Sequence, residues 1–298
     1  MKKLLLIAVA FALVVSCSKD SATKKIEFSS VPVMFESSIT ETRASGTEWD
    51  GDDVIGIMVT KDGSFVGDYR YNNKHNVVIG SDAAQCTFDA ESLLDQLYYS
   101  VDESYTIDFY GYYPYSADLV EADMSYPIDV ADQTSPEDID FMDAMTDVGY
   151  NKSSDMVSLT FGHRMAKISL ELKAGEGIDD VSEITAVRME GFYTTAKYDF
   201  ITRSFVDFGG ESVVVTPLKD ATTGVYSTIL IPSKATTHKI YFTTVDGDVP
   251  LDITTEQLIS GQHSYYTVTV NRTTPTYETN IINGWVEATL DNDSFETE

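Results

Sequence analysis

Apolar residues recur at every second position through most of this chain. In SVPVMFESSIT (30–40), Val31, Val33, Phe35 and Ile39 alternate with other residues, the period expected of a strand with one buried face. Similar runs occur at VIGIMVT (54–60), NVVIGS (76–81), YTIDFYGYY (105–113) and VSLTFGHRMAKISLEL (157–172). Further runs follow at 184–193, 194–201, 211–216, 226–233, 239–245 and 264–273. All are rich in Val, Ile, Thr, Tyr and Phe, which fit a pleated surface. Phe208-Gly209-Gly210, Thr223-Gly224 and Asp246-Gly247 supply turns between them. Short strands at this spacing predict an all-β protein built from sandwiches, not an alternating βαβ sheet.

Helical signals are few. Ser135-Pro136-Glu137-Asp138 combines a capping serine, proline at the first helical position and acids in the first turn. DAESLLDQLYY (89–99) places Leu93, Leu94, Leu97 and Tyr98 on one helical face. Polar residues at 149–155 divide the chain into an N-terminal unit, 44–154, and a C-terminal unit, 155–298, each the size of a sandwich.

The N-terminus has a different logic. Lys2 and Lys3 precede an apolar run from Leu4 to Val15, too short for the ~20 residues that span a bilayer. Residues 1–16 therefore read as a secretory signal peptide. Val14-Val15-Ser16-Cys17 resembles a bacterial lipobox, which implies that Cys17 carries lipid and ties the mature chain to a membrane. Residues 18–25 read as a tether, and 40–53 as an exposed loop.

Charge narrows the partners. With 20 basic and 48 acidic residues the formal net charge is −28, so a nucleic acid would be repelled. Cys17 and Cys86 are the only two cysteines, too few for a disulfide framework or a cysteine zinc site.

Several segments, taken in order, carry a resemblance: TRASGTEWDGDDVIGI (42–57), FYGYYPYS (109–116), QTSPEDIDFMDAM (133–145), LTFGHRMAKISLEL (159–172), ILIPS (229–233), GQHSYYTVTV (261–270) and INGWVEA (282–288). Together they resemble the fimbrillin-like family of Bacteroidetes surface lipoproteins, the Mfa-like and FimA-like pilins. The resemblance implies two transthyretin-like β-sandwich domains in tandem and a pilus subunit, shaft or tip, that serves adhesion. It also implies export as an outer-membrane lipoprotein, trimming after a basic residue in the loop that follows the first strand, and assembly with other pilin subunits by strand exchange.

On that reading Val31, Val33, Phe35 and Ile39 cover a groove until cleavage between Arg43 and Ala44 releases residues 17–43. The alternative for Arg43 is a solvated loop arginine. The donor would lie in 286–298, with Val286, Ala288 and Leu290 on one face ahead of an acidic tail; the alternative is a last strand with a frayed end.

Candidate chemistry is sparse. His75, His163, His238 and His263 occupy unrelated contexts without zinc or nucleophile spacing, and His163 and His263 read as structural. No pattern selects a catalytic pair, a cofactor loop or a metal site. Asp50-Gly51-Asp52-Asp53 and Asp246-Gly247-Asp248 read as turns, not calcium loops. Cys86 reads as a buried strand residue. Tyr110, Tyr112, Tyr113 and Tyr115 surround Pro114. They suit packing or, alternatively, a flat platform on a surface glycan-binding lipoprotein.

Overall fold

The computed structural model describes residues 25–38, 49–80, 85–119, 123–234, 237–254 and 257–283. The described chain is nearly all β. Its largest sheet has nine strands. Across it run Val157–Leu159, Phe35–Ser38, Gln85–Ala90, Asn73–Ile79, Val54–Lys61, Asp108–Tyr113, Met142–Met145 and Gly162–His163, with Ser64–Phe65 paired to Val54–Lys61. A five-stranded sheet runs Leu218–Lys219, Tyr226–Leu230, Ala166–Ala174, Gln262–Val270 and Thr276–Asn283. One three-stranded sheet joins Ala186–Glu190, Thr237–Thr244 and Gly247–Thr254; the other joins Ser204–Gly209, Thr195–Asp199 and Ser125–Asp129.

Three apolar clusters organise these sheets. The first draws its buried residues from Val33 to Phe161 and the second from Ala166 to Val270. The third lies between the two halves and takes Met58, Tyr110 and Tyr112 from one side and Met165, Tyr198, Phe200 and Ile229 from the other. Strand Val54–Lys61 therefore buries both faces: Ile55, Ile57 and Val59 enter the first cluster and Met58 the third. Such burial explains a continuous apolar run where a half-solvated strand would alternate. Gly56 lies opposite Tyr112, and a Cβ there would come within 2.0 Å of its ring. Only glycine lets the tyrosine lie flat across that strand.

At the third cluster sits Asp143, fully buried. Tyr110 from its own half donates to the carboxylate. Tyr198 donates at 2.9 Å and Arg203 at 2.8 and 3.0 Å from the other half, and Arg164 Nε completes the set. Burial alone would raise this carboxyl, but the Arg203 hydrogen bonds and both guanidinium charges outweigh it and hold the group below the usual carboxylate range. Arg203 reaches it from a left-handed backbone, φ 51°, a conformation costing about 1 kcal/mol for a residue with a Cβ. Gln133 makes a second tie, donating to Ile229 O at 2.9 Å and accepting from Ile229 N at 2.8 Å.

Two predicted elements do not form. Residues 89–99 form no helix: the Gln85–Ala90 strand runs into a turn, and Leu93 and Leu94 stand 89% and 79% exposed. Asp95 folds that turn back by accepting from Ser92 Oγ and Lys74 N. Residues 211–216 form no strand beyond a bridge from Val215 to Met189, because Gly210 turns the chain at φ 76°. Pro136–Ile139 is helical, although Ser135 makes no side-chain cap.

Removing the Asp143 carboxylate strands two arginines at the junction of the halves. Asp143→Ala should cost roughly 3–5 kcal/mol and split a single denaturant transition, followed by circular dichroism, into two.

Candidate functional site

The described segment 25–38 is short, yet it holds two places in the fold. Phe28–Pro32 pairs with Tyr98–Ser100 across a register shift. Phe35–Ser38 then enters the nine-stranded sheet, antiparallel to Gln85–Ala90 and parallel to Val157–Leu159. It is an interior strand, so both backbone edges are used. The bend between the two strands is held by Val33 N to Leu97 O at 2.9 Å and Val157 N to Met34 O at 2.8 Å.

The bend also breaks the expected alternation. Val33 and Phe35 are 3% and 1% exposed, but Val31 stays 39% exposed, because residues 28–32 follow Tyr98–Ser100 instead of the main sheet. Two of the residues expected to cover the groove thus reach the first cluster and Val31 does not. Ile39 lies outside the described residues.

The seat beneath Phe35 is aromatic. Its ring meets Phe109 and His75 edge-on, at centroid distances of 5.0 and 5.3 Å, and Phe88 is its cross-strand partner. Burial pushes the His75 imidazole down to about 4, so the ring is neutral and packs as an apolar surface. Two residues on, Ser37 Oγ accepts a hydrogen bond from Trp49 Nε1 at 3.2 Å. Trp49 in turn packs edge-on against Phe88, Tyr113 and Phe161. Cys86 lies opposite Ser37, buried, with its thiol pushed up to about 11 by that burial. A hollow of about 280 Å³ remains beside the strand, lined by Val33, Met34, Phe35, His75 and Gln96.

Other candidates take structural places. Tyr110, Tyr112 and Tyr113 are buried, so they form no sugar platform. His163 pairs with Asp140 inside the fold, and His263 Nε2 lies 2.8 Å from Ser169 Oγ. Asp50–Asp53 closes a turn in which Asp50 N donates to Asp53 Oδ2 at 2.7 Å. Gly247 turns the hairpin after Asp246 at φ 118°. Cys17, Arg43, Ala44, Val286, Ala288 and Leu290 lie outside the described residues. Nothing in the sequence marks Gln85–Ala90, Val157–Leu159 and Trp49 as parts of one slot. Only the pairing across more than a hundred residues brings them together.

The fimbrillin-like family matches residues 42–285. The proposed fimbrium subunit Fim1C of Bacteroides uniformis is 29% identical over 250 residues, which cover 78% of this chain and 77% of the relative. A crystal structure of a proposed cell adhesion protein from Bacteroides uniformis shares the fold with a TM-score of 0.71 at 24% identity, covering 86% of this chain and 99% of that one. The tip fimbrial protein Mfa3 of Porphyromonas gingivalis, truncated at its C-terminus, does so with a TM-score of 0.52 at 13% identity, covering 85% and 99%. The first-strand segment and residues 286–298 both lie outside the family match.

Phe35 fills its seat alone, so Phe35→Ala should destabilise the intact protein by about 3–5 kcal/mol. Urea unfolding of both proteins would measure it.

Proposed function

The chain belongs to the fimbrillin-like family, and from that premise we propose that it is a structural subunit of a cell-surface pilus that exchanges its own first strand for a strand of a neighbouring subunit. The observation that carries this reading is the interior position of Phe35–Ser38. Removing that strand bares a backbone edge on both neighbours and empties an aromatic seat, and an extended segment from another chain can refill both. Burying one Phe side chain is worth roughly 1.5–3 kcal/mol, so a vacated slot strongly favours a replacement.

The remaining parts follow from this. Residues 1–16 direct export, Cys17 carries the lipid that holds the precursor at the outer membrane, and cleavage between Arg43 and Ala44 frees the first strand. The donor lies after Trp285 and includes Val286, Ala288 and Leu290. The chain divides into two transthyretin-like sandwiches, 44–154 and 155–298, with Val157, Leu159 and Phe161 reaching across that boundary into the first apolar cluster. The subunit acts by assembly at the cell surface and serves adhesion to a host or bacterial surface ligand.

Mass spectrometry of protein sheared from the cell surface tests the route. The mature N-terminus should be Ala44, and Arg43→Ala should leave the lipid-bearing segment attached and reduce polymers to background. Normal polymers from Arg43→Ala subunits would overturn the proposal that cleavage there opens the slot.

A further inference from the structure

The tail repeats the strand it would replace. Residues 26–38 read IEFSSVPVMFESS and residues 286–298 read VEATLDNDSFETE. Aligned without a gap, Val286 falls on Ile26, Glu287 on Glu27, Thr289 on Ser29, Phe295 on Phe35, Glu296 on Glu36 and Thr297 on Ser37. We propose that residues 286–298 of a second copy of this chain enter the slot in that register, with Phe295 in the Phe35 seat and Thr297 beside Trp49. This rests on the strand-exchange reading above and fixes which tail residues the slot selects.

The slot has three requirements that few tripeptides meet. It needs a large ring edge-on to Phe109 and His75 and, two residues later, a small side chain whose oxygen accepts from Trp49 Nε1. The residue between them points outward, as exposed Glu36 does. Phe295-Glu296-Thr297 satisfies all three terms. Leu290-Asp291-Asn292, the other large residue followed at the right spacing by an acceptor, leaves a ring-sized seat part empty, and unfilled core volume is destabilising.

The change of face along the segment also matches. In the first segment Ile26 packs on the first cluster at an even position and Val33 and Phe35 at odd ones, because the chain bends between them. In the tail the apolar residues likewise change parity, from Val286, Ala288 and Leu290 to Phe295. A single unbroken strand that buried Val286, Ala288 and Leu290 would turn Phe295 to the opposite face. In the proposed register Leu290 instead takes the exposed place of Ser30 and Asp291 the exposed place of Val31. Asp293 falls on buried Val33, beside the hollow that Val33 lines, the one place in this register where a carboxylate replaces a buried apolar side chain.

Cys86 reads the register directly. Ser37 and Cys86 are cross-strand partners, and directly opposed side chains lie close enough for a disulfide. In Thr297→Cys subunits the new thiol of one copy should meet Cys86 of the next. Surface-sheared protein treated with a mild oxidant should give a ladder that collapses on reduction, and Asn292→Cys and Leu290→Cys should give none. A ladder from Asn292→Cys or Leu290→Cys instead overturns this register and leaves strand exchange standing. No ladder from any position while subunits still polymerise also overturns the register. If Thr297→Cys does not assemble, Phe295 decides: Phe295→Leu should retain polymers that Phe295→Asp loses, and equal yields from the two overturn the register.

Discussion

Backbone hydrogen bonding across one short strand governs this structure. Phe35–Ser38 lies between Gln85–Ala90 and Val157–Leu159, two strands that cannot pair with each other while it separates them. Buried peptide groups must find partners, so each neighbour depends on the inserted strand along one edge. The parallel pairing to Val157–Leu159 adds a constraint that a hairpin cannot meet, because adjacent strands in sequence join most simply as antiparallel pairs. A segment from a distant part of the same chain, or from another chain, is required.

Little of the rest of the core draws on that segment. The second and third apolar clusters contain no residue from 25–38, and the first loses Val33 and Phe35 with packing from Ile26. Asp143, held by arginines from the C-terminal half, and Gln133, bonded on both sides of Ile229, tie the halves together at a distance from the slot. Damage from strand removal is thus confined to one edge of one core. That arrangement suits a subunit that must remain folded while it waits for a neighbour.

Much of this was legible in the chain. Runs of strong β-formers found Val54–Lys61, Ala166–Ala174, Thr237–Thr244 and Gln262–Val270, because those residues coincide with burial there. They missed Gln85–Ala90, Ser125–Asp129, Gly247–Thr254 and Thr276–Asn283, whose solvent faces carry Asp, Glu, Thr or Pro and dilute the apolar signal. Leu93 and Leu94 suggested a helix through a spacing that the turn at Asp95 overrides. The tyrosines around Pro114 could be read two ways, since aromatic density has the same signature in a core as on a platform. Val33 and Phe35 were readable as a buried pair, whereas exposed Val31 was not, because the bend after Pro32 depends on Tyr98–Ser100. The slot itself was invisible in sequence, being made of strands that meet only in the sheet.

The central claim is that a removable strand shields the first core. Cys86 is buried opposite Ser37 and is the only cysteine after Cys17. Its rate of alkylation at pH 8 can be followed by mass spectrometry in the intact subunit, in the trimmed monomer freed of its released segment, and in the polymer. The account predicts slow labelling in the intact subunit, fast labelling in the trimmed monomer and slow labelling again in the polymer. A trimmed monomer whose Cys86 stays as protected as in the intact subunit would contradict it.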